Sequence, residues 1–166
     1  MILIGFMGCG KTTIANELGR KLNKEVIDLD AVIPAIAGRT IPEIFADEGE
    51  AAFREYEYRA LKETLQKDVI IATGGGVVTY DKSYDELKGL SGRPVFFLNA
   101  PFEDLYKRIQ QDENRPLGNQ DSEKVRELYN SRLDKYTSLA SREVSTLQTV
   151  EKTAAEIIVY MDESNL

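Results

Sequence analysis

Eight residues near the amino terminus, Gly5-Phe6-Met7-Gly8-Cys9-Gly10-Lys11-Thr12, follow the spacing G-x-x-x-x-G-K-T. That order of residue types suits the grip of a triphosphate tail. Glycines let consecutive backbone N–H groups curl around phosphate oxygens where side chains would intrude. Lys11 supplies a point charge for the β- and γ-phosphates, and the Thr12 hydroxyl has the right length to ligate Mg²⁺. Gly8, Cys9, Gly10, Lys11, Thr12 and Thr13 are therefore the candidate ATP-binding residues of this stretch.

A phosphate site of this kind needs a carboxylate near the metal, at the end of another apolar strand. The runs Val69-Ile70-Ile71-Ala72 and Val95-Phe96-Phe97-Leu98 end in Thr73 and Asn99, neither an acid. Glu25-Val26-Ile27-Asp28-Leu29-Asp30 ends in two acids. Read as a strand, its positions i and i+2 share one face, so Asp28 and Asp30 project together, and metal and proton work both fall to them. The plainer alternative is that they face solvent or cap the next helix. Arg54 and Glu57 stand three apart on a helical pattern. They form either an exposed pair worth under about 1 kcal/mol or a clamp that holds the guanidinium rigid to grip a carboxylate bidentately. Gly74-Gly75-Gly76, directly after a core strand, would let a ligand lie against bare backbone. Arg115 sits in a polar Pro- and Gly-containing stretch from Gln111 to Ser122, which predicts a mobile loop carrying an arginine over the phosphates. Cys9 reads as a small filler, with thiol alkylation blocked by ATP as the sharper alternative.

The elements that must position these groups alternate. Met1 to Ile4 is an uninterrupted apolar run suited to a buried parallel strand, and Thr13 to Leu22 has apolar residues at helical spacing. A chance glycine-rich turn would lack those flanks. A helical pattern runs from Pro42 to Gln66, with Phe53, Tyr56, Ala60, Leu61 and Leu65 as its buried stripe. Further helices are expected over 81–90, 102–109, 122–139 and 153–161, with a short strand at Val144-Ser145. The result is an alternating α/β chain without repeats or linkers, read as one domain over 1–166.

Composition narrows the partners. The net charge is −7 among 166 residues, which argues against nucleic acid, since a basic face is needed to displace phosphate counterions. Anionic substrates must then be drawn by local cations. One cysteine allows no intrachain disulfide and fits a reducing compartment, and no apolar run approaches membrane-spanning length. Cytoplasm, no membrane partner and a monomer are the expectations. Histidine is absent, so chemistry must run on carboxylates, Lys, Arg and backbone.

Taken together, Gly5 to Thr12, Asp28-x-Asp30, Phe53-Arg54-x-x-Glu57, Gly74-Gly75-Gly76, Arg115-Pro116-Leu117 and Arg132 with Tyr136 resemble the shikimate kinase family, small P-loop proteins akin to nucleoside monophosphate kinases. The resemblance covers nearly the whole chain. It implies a three-layer fold, a five-stranded parallel sheet flanked by helices on both faces, with a substrate-binding region near 31–62 and a mobile lid near 111–122. It implies transfer of the ATP γ-phosphoryl group to the 3-hydroxyl of shikimate, with Mg²⁺ as cofactor, in aromatic amino acid biosynthesis. The implied roles are Thr12 and Asp28 on Mg²⁺, Lys11 on the phosphates, and Asp30, Arg54, Arg132, Gly75 and Gly76 on shikimate. Arg115 becomes the lid arginine and Arg108 the residue stacked on adenine, so Lys11, Asp30 and Arg115 form the catalytic set. Two departures stand out: Gly118 replaces a second lid leucine, and Leu133-Asp134-Lys135 replaces a proline-containing approach to Tyr136. Competing readings are a gluconate or nucleoside monophosphate kinase, and a catalytically weak nucleotide-binding regulator.

Overall fold

The computed structural model describes residues 1–112 and 120–164. Five short strands, β1 (Ile2–Ile4), β2 (Val26–Asp28), β3 (Ile70–Ala72), β4 (Val95–Asn99) and β5 (Arg142–Ser145), form a sheet in the order β2-β3-β1-β4-β5. All four pairings are parallel, in the registers Asp28↔Ala72, Leu3↔Ala72, Ile4↔Phe97 and Leu98↔Val144. Every residue of β1 and β3 and the first four of β4 are buried. Burial at successive positions requires cover on both faces, which is why these strands read as unbroken apolar runs.

Eight helices supply that cover: α1 (Lys11–Leu22), α2 (Leu29–Ala37), α3 (Ile41–Asp47), α4 (Gly49–Leu65), α5 (Asp81–Lys88), α6 (Phe102–Gln110), α7 (Ser122–Leu139) and α8 (Val150–Ser164). The longer ones bury apolar stripes, such as Ile14, Ala15 and Leu18 on α1 or Phe102, Leu105 and Ile109 on α6. Because the strands run the same way, the loop after β1, the end of β2 and the glycines after β3 all emerge at one sheet edge. In open parallel sheets that edge is where ligands bind.

Two local expectations are corrected. The second strand stops at Asp28, and Asp30 lies in the first turn of α2. The Asp28 carboxylate caps that helix, accepting from the Asp30 N–H at 3.0 Å. The two acids therefore meet at a strand-to-helix corner and do not share a strand face. The capping signal, an Asp directly before Leu29 and an apolar run, outweighs the alternation. The long helix expected over 42–66 is two helices, because Gly49 takes φ +83° at their junction. Tyr56 and Leu65 are only partly buried, whereas Glu57 joins Phe53, Ala60 and Leu61 on the buried face.

A capping box starts α3. The Thr40 hydroxyl accepts from the Glu43 N–H at 3.4 Å, and the Glu43 carboxylate accepts from the Thr40 N–H at 2.7 Å. Replacing Thr40 by Ala removes one half of the box. We expect Thr40→Ala to lose about 1 kcal/mol in urea unfolding, and Thr40→Ser to restore most of it.

Candidate active site

The loop after β1 turns through Gly8 at φ +77° and Gly10 at φ +93°, backbone angles that side chains strongly disfavour. α1 follows with no capping side chain and no acid in its first turn, so its free N–H groups and positive end stay open to an anion. Lys11 folds over the loop, donating from Nζ to the Gly5 and Phe6 carbonyls at 2.7 and 3.1 Å. The Thr12 hydroxyl donates to Asp28 Oδ2 at 2.8 Å, joining the end of β2 to the start of α1.

A cleft of about 390 Å³ opens on this loop and gathers groups from across the chain. The phosphate side contributes Gly8, Gly10, Lys11, Thr12 and Thr13, and the corner after β2 contributes Asp28 and Asp30. Arg54 and Glu57 of α4, Gly74, Gly75 and Gly76, and Arg132 of α7 form the far end. Cys9 and Arg108 do not line this cleft. The Cys9 side chain is fully buried with its Sγ 3.5 Å from Lys11 Nζ, so it fills space under the loop and is shielded from alkylating reagents. Arg108 braces the loop from the other side, donating to the Gly8 carbonyl at 3.2 Å and the Thr146 carbonyl at 2.9 Å. Arg115 and Gly118 lie outside the described residues.

The Arg54–Glu57 pair is buried and is not a surface bridge. Its Nη1–Oε2 distance is 2.8 Å, with the Glu57 side chain 1 % exposed and that of Arg54 12 %. Glu50 takes the other nitrogen, Nη2, at 3.3 Å. The triple glycine is shaped to this pair. A β-carbon on Gly76 would collide with the Arg54 guanidinium, 2.6 Å from Nη1, and one on Gly74 would stand 2.8 Å from Glu57 Oε1. At Gly74 and Gly76 the backbone is bare also because the protein's own charged side chains lie against it.

Arg132 is 7 % exposed, beside the Phe6 ring at 5.8 Å. Its Nε and Nη1 have no hydrogen-bond partner among the described residues, and neither does Arg54 Nε. A buried guanidinium with idle donors calls for a partner. Arg132 lines the cleft despite the altered approach to Tyr136. One wall went unread in the sequence. Ile41, Phe45 and Phe53 give the cleft an apolar side, the two rings 4.6 Å apart, and Phe45 is 43 % exposed. The only sequence signal for Phe45 is its place in the apolar stripe of α3.

A family model described as "Shikimate kinase" matches residues 7–162. The chain belongs to the shikimate kinase family. Among family members, shikimate kinase of Staphylococcus haemolyticus is 40 % identical over 97 % of this chain and 93 % of its own length. That of Enterococcus faecalis is 41 % identical over 95 % of this chain and 93 % of its own. A structure of shikimate kinase from Acinetobacter baumannii in complex with shikimate superposes with a TM-score of 0.89 at 35 % identity, covering 99 % of this chain and 93 % of that one. A deoxyadenosine kinase from M. mycoides, at 18 % identity and a TM-score of 0.67, shares the fold.

Burial pushes the Glu57 carboxyl above its ordinary value of 4.5, against the pull of Arg54. Below pH 4.5 the group is protonated both folded and unfolded. As pH rises past 4.5 the unfolded chain releases the proton first, so the folded state loses stability until its own raised pKa is passed. Glu57→Gln lacks this dependence. We expect the melting temperature of the variant minus that of the wild type to increase as pH is raised from 4.5 toward neutrality.

Proposed function

We propose that this protein is a shikimate kinase, transferring the γ-phosphoryl group of ATP to the 3-hydroxyl of shikimate. The observation that carries the reading is the single cleft in which a phosphate loop, an acid at a helix start and two partly unpartnered guanidinium groups face one another. Shikimate supplies what such a cleft lacks: a carboxylate for Arg54 and Arg132, and hydroxyls for Asp30. The apolar side formed by Phe45 and Phe53 suits the ring face of a small cyclic acid. A nucleotide acceptor would use the aromatic wall but waste the arginines.

In this reading Lys11 exchanges the Gly5 and Phe6 carbonyls for β- and γ-phosphate oxygens, while the open N–H groups of α1 hold the tail. Thr12 and Asp28 present two oxygen donors 2.8 Å apart beside that tail, a set that fits a hard cation such as Mg²⁺. When bound with ATP, the cation supplies charge neutralisation of the phosphates. Asp30 orients the attacking hydroxyl and takes its proton late, since this chemistry asks mainly for position and electrostatics. Arg54, held by Glu57, and Arg132 fix the acid end. We extend the proposal to Arg115 as the cation that meets the transferring group, to Arg108 as the adenine neighbour, and to a monomer in the cytoplasm. No helix among the described residues is long and apolar enough to cross a membrane.

The experiment is an ADP-release assay with Mg-ATP and shikimate, gluconate or AMP in parallel. We expect turnover with shikimate alone, and Asp30→Asn to lower kcat at least about a hundredfold. Near-normal kcat with a raised KM would leave Asp30 as a binding group only. Turnover with gluconate or AMP and none with shikimate would overturn the reading.

A further inference from the structure

Tyr136 has no part in the mechanism above, yet its hydroxyl meets the backbone of Gly75, which lines the cleft. It lies four residues beyond Arg132 on α7, fully buried, with its ring stacked on Phe97 at 5.1 Å and 21°. Its O–H donates to the Gly75 carbonyl. That oxygen belongs to the Gly75–Gly76 peptide, between two residues whose lack of β-carbons makes the unit easy to rotate. The flanking peptides are tied locally: Val77 N–H donates to the Gly74 carbonyl at 3.2 Å, and the Thr79 hydroxyl donates to the Gly76 carbonyl at 2.6 Å. The middle peptide is instead held by a side chain from another element.

A trans peptide points its carbonyl and its N–H in opposite directions, and the chain has no cis bond. Holding the Gly75 oxygen on Tyr136 therefore aims the Gly76 N–H the opposite way. Gly76 lines the cleft against the Arg54 guanidinium, and its N–H makes no backbone hydrogen bond among the described residues. We propose that Tyr136 is a positioning residue, which by gripping the Gly75 carbonyl presents the Gly76 N–H as a fixed donor to the acidic acceptor held by Arg54 and Arg132. Burial drives the phenol far above its ordinary pKa, so it remains a donor throughout the working range.

This inference rests on the proposed function, and the test separates the two. For Tyr136→Phe we expect KM for shikimate to rise about tenfold, the scale of one lost buried hydrogen bond, with KM for ATP and kcat within about threefold of wild type. A purely structural role would lower the melting temperature and leave the shikimate KM within twofold, which would overturn the inference. Site-specific 4-fluorophenylalanine at position 136 fills the place of the hydroxyl without a donor and carries the test if the Phe variant does not fold. The same rise in the shikimate KM is expected, and a KM within twofold of wild type would overturn the inference. A wild type that neither binds nor phosphorylates shikimate overturns the proposed function and the inference with it. A wild type that does both, beside an unaltered Tyr136→Phe, overturns the inference alone.

Discussion

Two guanidinium groups withdrawn from water at one end of a cleft set the terms for the rest of the molecule. Burying a cation costs several kcal/mol unless hydrogen bonds and an opposite charge offset it. Arg54 has Glu57, itself almost wholly buried, and a partial contact to Glu50. Arg132 has an aromatic neighbour but idle nitrogens among the described residues. Both residues nevertheless line the cleft, where an anion can meet them. In a chain of net charge −7, such a local arrangement is what makes an acidic substrate welcome.

The proposed function gives opposite ends of the cleft opposite tasks. In that reading the phosphate loop, with Lys11 and the open start of α1, addresses a triphosphate. The arginines and the triple glycine address a small acid, with Asp30 between. Glu57 links the two halves electrostatically, because it feels Asp30 and Arg132 as well as Arg54. The apolar side formed by Phe45 and Phe53 adds shape without charge. Discrimination among acceptors follows from this pairing, since a polar site left unfilled by the wrong acceptor costs more than a poorly packed apolar one.

Much of this was legible in the residues and some of it was not. The phosphate loop reads directly, because glycine, lysine and threonine at that spacing sit between an apolar run and a helical one. Asp28 and Asp30 were rightly brought together for the wrong reason: an alternating pattern looks like strand until the aspartate is recognised as the cap of the next helix. The division at Gly49 depends on one positive φ, which helical periodicity across 42–66 conceals. Thr40 and Glu43, with Pro42 between them, do carry a capping-box spacing that marks where α3 begins. Whether Arg54 and Glu57 form a clamp or a surface pair is a matter of burial, and the i, i+3 spacing is the same for both. Phe45 escaped because an aromatic residue in a seven-residue helix can equally be core. The triple glycine reads as room for a ligand, and nothing in its spacing tells that Arg54 and Glu57 lie against Gly76 and Gly74.

The central claim is that the two arginines form one desolvated seat for the acceptor's carboxylate, and it is tested most directly by a crystal structure with shikimate bound. The account predicts the carboxylate within hydrogen-bonding distance of both Arg54 and Arg132, with a ring hydroxyl on Asp30. A carboxylate turned to solvent or held at Lys11, with Arg132 still unpartnered, would contradict it.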